Sequence, residues 1–118
     1  MEYKAIARFV RYSPYKLRPI ANVIRGKGVQ EALNWLFVNA NKRVLPVQKA
    51  IESAAANAKQ LDNHAIDQLV LKEIRIDEGP FFKYSKAGAM GRAQVQRRRL
   101  SHIRVVVEDV QSATNKEV

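Results

Sequence analysis

Leu69-Val70-Leu71-Lys72-Glu73-Ile74-Arg75-Ile76-Asp77-Glu78-Gly79-Pro80 opens the stretch that decides the fold, and Ser101-His102-Ile103-Arg104-Val105-Val106-Val107 closes it. In the first run Val70, Lys72, Ile74 and Ile76 alternate with Leu69, Leu71, Glu73 and Arg75, the period of a strand with one mostly apolar face. Ile103, Val105 and Val107 repeat that period in the second run. Asp77-Glu78 reads as a strand end, with a turn at Gly79-Pro80. Residues 79 to 104 between the runs are polar, contain glycine and are too long for a tight turn. If the two strands pair, this segment is a long hairpin with little of its own to bury. Ten or so residues per arm, at ~3.3 Å each, reach about 30 Å from the core.

Working outward, residues 2 to 12 mix β-branched and aromatic residues with Lys4, Arg8 and Arg11, which predicts a further strand. Ser13-Pro14 marks a helix start, Ser as N-cap and Pro at the first helical position, where its missing N–H costs nothing. Leu17, Ile20, Ala21 and Ile24 then share one helical face, and Gly26 ends the helix. Pro19 lies past the first turn and should kink it. Val29, Ala32, Leu33, Leu36 and Phe37 form the stripe of a second, short helix. A third runs from about 42 to 60 with Val44, Val47, Ile51, Ala54, Ala58 and Leu61 on one face, and Pro46 argues for a start somewhat after 42. These elements predict an α+β fold: a small three-stranded antiparallel sheet, three helices against one face, and a long protruding basic hairpin. The expected organisation is one domain over residues 1–110, with the hairpin at about 79–104 and a disordered tail over 111–118.

Charge is segregated. The chain has 118 residues, 21 basic against 11 acidic, and a net charge of +10. Residues 1–30 hold seven Lys/Arg and one acid, and residues 79–104 hold seven and none. The intervening segment is nearly balanced, with six basic and seven acidic residues. Two cationic blocks in an otherwise neutral chain imply a polyanionic partner.

Several chemistries drop out. Without cysteine there are no disulfides, thiolate metal sites or thiol nucleophiles. His64 and His102 lack carboxylates at metal-ligand spacing. Ser101 and His102 are adjacent in a strand, so they face opposite ways and form no dyad. Arg25-Gly26-Lys27-Gly28 resembles part of a phosphate loop, but it ends a helix where such a loop opens one. The helices spend their apolar faces on a core, which leaves none for a membrane surface. No signal-peptide pattern and no membrane-spanning run is expected, so the chain is read as soluble and intracellular, with no cofactor and no catalysis.

What remains is nucleic-acid binding. GRAQVQRRRLSHIR carries Arg92, Arg97, Arg98, Arg99 and Arg104, with no acid between Glu78 and Glu108 to neutralise them. Arginine's planar fork suits phosphate oxygens and stacks on bases. Phe81, Phe82 and Tyr84, beside Lys83 and Lys86, offer rings that either stack on bases or cover the hairpin's own base. Gly88, Ala89, Met90 and Gly91 form the tip, where small residues admit close backbone approach.

The residues also resemble a known family. Ser13-Pro14-x-Lys16-x-Arg18, Ile24-Arg25-Gly26-Lys27, Glu31-Ala32-Leu33-x-x-Leu36 and Glu52-Ser53-Ala54-x-Ala56-Asn57-Ala58 are followed by Asp77-Glu78-Gly79-Pro80, Gly91-Arg92-Ala93 and Ser101-His102-Ile103. In that order, from about Ala5 to Val107, they resemble the universal large-subunit ribosomal protein family numbered twenty-two, of bacterial or organellar type. The resemblance implies a globular part seated on large-subunit ribosomal RNA beside neighbouring ribosomal proteins. It implies a hairpin threading inward, its tip lining the exit tunnel near the nascent peptide and influencing macrolides and stalling peptides. It implies a cytoplasmic or organellar ribosome as location. Carried over, Ser13, Lys16, Arg18, Arg25 and Lys27 become RNA-contact candidates at the domain base. Lys83, Lys86, Arg92, Arg97, Arg98, Arg99 and His102 become candidates along the hairpin, and Ser53 and Asn57 gain weight. At the tip Ala87-Gly88-Ala89-Met90-Gly91-Arg92 stands where the family usually has Pro-Arg-Ala-x-Gly-Arg, and Tyr84 where arginine is common. The tip is thus less basic and more flexible than the pattern. The competing expectation is a free-standing RNA- or DNA-binding regulator of the same fold.

Overall fold

The computed structural model describes residues 2–39 and 42–109; the tail expectation for 111–118 lies outside them, and so do the side chains of Tyr84, Lys86, Ala89, Gln94–Arg97. Strand β1 (Glu2–Val10) is followed by helices α1 (Pro14–Ile24), α2 (Val29–Val38) and α3 (Val44–Asp62). Strands β2 (Leu69–Ala87) and β3 (Ala93–Asp109) complete the chain, with short 3-10 turns at Ile66–Gln68 and Ala89–Gly91. The sheet is antiparallel in the order β1-β3-β2, so the last strand is central.

The core lies between this sheet and the three helices. Leu17, Ala21 and Ile24 of α1, Val29, Ala32 and Leu36 of α2, and Val47, Ile51, Ala54 and Ala58 of α3 meet Ile103, Val105 and Val107 of β3. Small residues along α3 let that helix lie close to its neighbours. Phe37 and Leu61, expected on helical stripes, are 79% and 71% exposed. Each sits at the end of its stripe, beyond the reach of the sheet.

At the start of α1 the cap differs from its sequence reading. Ser13 holds the N-cap position with extended backbone (ψ 138°), yet its hydroxyl makes no cap bond, and the Ser13 carbonyl accepts from Lys16 N–H at 3.1 Å instead. The α1 helix runs through Pro19, which is exposed, and continues to Ile24. Helix α3 starts at Val44, after 42 as Pro46 argued, and Pro46 falls in its first turn, where the lack of an N–H costs no intrahelical bond. Gly26 follows the α1 C-cap with φ +81°, the left-handed stop expected there.

The alternation in β2 is out of phase with its sequence reading. Leu69 and Leu71 are buried, then Ile74 and Ile76, because the register shifts between Leu71 and Glu73. A bulge inserts one residue and turns the strand's faces over, so both apolar pairs point into the core and Val70 and Lys72 do not. Gly79-Pro80 is likewise a bulge and not a turn: Glu78 pairs with Ser101, Phe81 with Arg99, and the strand continues to Ala87. Proline, which has no N–H to give to the ladder, is accommodated at such a break.

Beyond that bulge, Phe81–Ala87 pairs with Ala93–Arg99 as a free two-stranded arm. The principal extents are 64 × 27 × 26 Å and the radius of gyration is 17.5 Å. A compact domain of this length would have about 13.5 Å. The difference is the protruding arm.

Candidate nucleic-acid interface

The cations fall into three places. Lys16 and Arg18 stand on α1 near the hairpin root, Arg25 and Lys27 at the other end of α1, and Lys83, Arg92, Arg98 and Arg99 on the arm. Lys16, Lys83, Arg92, Arg98 and Arg99 are exposed. Lys86 and Arg97 sit in the arm's backbone register opposite Gln94 and Lys83, their side chains outside those described.

Some of the residues expected to contact RNA are engaged inside the fold. Arg25 donates from Nη2 to the Ile74 carbonyl at 3.0 Å and from Nη1 to Asn22 at 2.8 Å. Arg18 donates to the Ile76 carbonyl at 3.4 Å. The Lys27 carbonyl accepts Leu71 N–H at 2.9 Å. Because β2 is an edge strand, its outward C=O and N–H groups would otherwise need water; Arg18 and Arg25 take two of the carbonyls and the exit loop of α1 takes the Leu71 N–H. Asn57 does the same on the opposite edge, donating to the Lys4 carbonyl at 2.9 Å, while Ser53 is exposed beside it on α3.

His102 of β3 is half-buried opposite a third bulge, between Ala7 and Val10 of β1, where Phe9 has φ 58°. Its Nδ1 accepts Phe9 N–H at 3.1 Å, and the two rings meet edge-to-face at 5.1 Å. Neighbouring Ser101 is fully buried and donates to the Tyr12 carbonyl. The two side chains thus serve opposite faces of the sheet.

Residues far apart in sequence converge at the hairpin root. The guanidinium carbons of Arg18 and Arg99 each lie 5.4 Å from the Tyr15 ring centroid, within cation–π range. Tyr15 was missed as a functional candidate. Its i, i+3 spacing to Arg18 on a helix was the signal available. Phe81, 46% exposed, lies in the same region with Lys83 Nζ 5.9 Å from its ring, and Phe82 is 61% exposed. At the far end the tip turns through Met90 and Gly91, both with positive φ (58° and 78°), and Met90 is fully exposed. Among the described residues no His, Asp and Glu cluster is arranged for a metal, and no helix is long and apolar enough to cross a membrane.

A cationic arm with no buried residue among those described, joined to a root where arginines stack on an aromatic ring, is suited to lying against RNA. The comparisons agree. A family model described as Ribosomal protein L22p/L17e matches residues 5–108. The large ribosomal subunit protein uL22 of Desulforamulus reducens is 48% identical over 109 residues, 92% of this chain and 96% of its own. That of Desulfitobacterium hafniense strain Y51 is 49% identical over 104 residues, covering 88% and 91%. That of Maridesulfovibrio salexigens is 44% identical over 110 residues, covering 93% and 100%. With nearly the whole domain matched and the hairpin included in the match, this chain belongs to the L22p/L17e family of ribosomal proteins.

Proposed function

We propose that this chain is a structural constituent of the large ribosomal subunit that binds large-subunit ribosomal RNA and catalyses nothing. Its long hairpin helps line the nascent-peptide exit tunnel, with the nascent chain near the tip and other ribosomal proteins beside the globular part. The observation that carries this is the arm itself. Between Ile76 and Leu100 no described residue is buried, and the segment holds six Lys/Arg and only Asp77 and Glu78 as acids, both at its root. A two-stranded arm of this kind is marginal alone in water; RNA supplies the surface it packs on. Lys16, Lys27, Lys83, Lys86, Arg92, Arg97, Arg98 and Arg99 are assigned to phosphate and base contacts. Arg18 and Arg25 contribute the N–H groups left after their carbonyl bonds. Ser13 and His102 act mainly by shaping the root, and Gly88, Ala89, Met90 and Gly91 form the tunnel tip.

Sedimentation of the tagged chain from a lysate, at magnesium low enough to separate the subunits and after a salt wash, tests this. The expected result is co-migration with the large subunit that survives the wash. Recovery at the top of the gradient would replace the ribosomal reading with a free-standing RNA-binding regulator.

A further inference from the structure

At the hairpin root, where α1 begins, a cavity of about 200 Å³ has Tyr15, Glu78, Gly79, Phe81 and Arg99 in its walls. Sites for drug-sized ligands run to ~300–1,000 Å³, so this one has room for a single planar ring system. Its walls offer flat surfaces: the Phe81 ring, and the Arg99 guanidinium held against Tyr15. Splayed-out RNA bases stack on such surfaces.

The cavity also contains a carboxylate on an otherwise cationic arm. Glu78 is exposed and, among the described residues, accepts only a long bond, 3.3 Å, from the Tyr15 hydroxyl. Among the described residues it forms no ion pair with Arg99, so the two opposite charges line the cavity without closing it. An ionised carboxylate accepts hydrogen bonds and gives none. It therefore repels phosphate and selects for adjacent N–H groups. Guanine alone among the four bases places two donors side by side, N1–H and N2–H, on its Watson–Crick edge, which matches the two oxygens of one carboxylate. We infer that this cavity holds one extruded guanine of the partner RNA, its Watson–Crick edge on Glu78 and its ring against Phe81 and Arg99. The inference rests on the reading of the chain as a ribosomal RNA-binding protein and adds a base-specific contact to it.

The test uses large subunits from cells whose sole copy of the chain is wild-type or variant, probed with a glyoxal reagent that adds across N1 and N2 of unpaired guanine. In Glu78→Gln an amide donor replaces one acceptor oxygen. One guanine that is protected in wild-type subunits should then gain reactivity on the order of ten-fold, the equilibrium change expected for a lost charged hydrogen bond. Phe81→Leu, which removes the flat wall, should expose the same guanine. Asp77→Asn makes the same charge change outside the cavity walls and should leave it protected. Immunoblots of the same gradient fractions report whether each protein is in the subunit. If both cavity variants are incorporated and no guanine changes, or the base that changes is adenine, cytosine or uracil by reagents specific to them, the guanine site is refuted while the ribosomal reading stands. If the wild-type chain is itself absent from the subunit, that reading fails first and takes the inference with it.

Discussion

Tyr3 shows how one residue ties the sheet to the end of a helix. It is buried in β1, its phenol donates to the Asp62 carboxylate in the last turn of α3, and its ring meets His64 edge-on at 5.8 Å. The bond to Asp62 comes first among the influences that push its pKa up to about 12, followed by burial and the nearby negative charges of Asp62 and Asp109. The unfolded phenol titrates near ~10, so the folded state holds its proton more tightly. The stabilisation is fully present below pH ~10 and is lost as pH rises toward about 12. Urea unfolding of wild type and Tyr3→Phe at pH 8, 10 and 12 checks this: the wild-type advantage should be constant up to pH 10 and shrink above it. A gap that does not change would assign the bond no role in stability. The sequence showed Tyr3 as one aromatic residue of a strand. It could not show Asp62 beside it, because a contact across 59 positions depends on the packing of α3 against β1.

At the scale of elements, both edges of the sheet are capped in part by side chains from α1, its C-cap and α3. An uncovered edge presents free N–H and C=O groups that pair with other chains. Here Arg25 and Arg18 take the Ile74 and Ile76 carbonyls of β2, and Asn57 takes the Lys4 carbonyl of β1. Arg25→Met and Asn57→Ala should each cost about 1 kcal/mol, the usual net value of one hydrogen bond. Because they act on opposite edges, their effects should add. Denaturant midpoints of the two single variants and the double variant measure this, and a double variant no worse than either single would show that the edges are not capped independently. Element type was legible throughout: three apolar stripes of helical period and two alternating runs account for α1 to α3 and for β2 and β3. Phase was not. The Leu71/Glu73 bulge reversed the faces of β2, and Gly79-Pro80, which carries the residue types of a turn, became a second bulge. Bulges are set by what the partner strand requires, and a single strand's sequence does not show its partner. The same holds at the root. The cations were readable one by one, but the convergence of Tyr15, Arg18, Glu78 and Arg99 comes only from laying α1 along the paired β2 and β3.

At the scale of the whole molecule, folding and binding are divided between two regions. Among the described residues every buried residue of the core cluster lies outside 77–102, and the arm beyond the Gly79 bulge contributes none. Replacing Phe81–Arg99 with a two-residue Asn-Gly turn, a connection that suits antiparallel strands, should leave the globular part folded, with thermal unfolding within a few degrees of wild type by circular dichroism. Binding should respond very differently. The replacement removes Lys83, Lys86, Arg92, Arg97, Arg98 and Arg99. Each phosphate neutralised contributes ~0.7–0.9 to the slope of log K against log salt, so six such contacts would flatten it by roughly four to five. Filter binding of both proteins to large-subunit RNA across a salt series reads that change directly. A flattened slope on an intact fold assigns the electrostatic grip to the arm. An unchanged slope would move it to Lys16, Arg18, Arg25 and Lys27, leaving the arm to act by shape within the subunit, where its cations would then be balancing RNA charge already gathered by its neighbours.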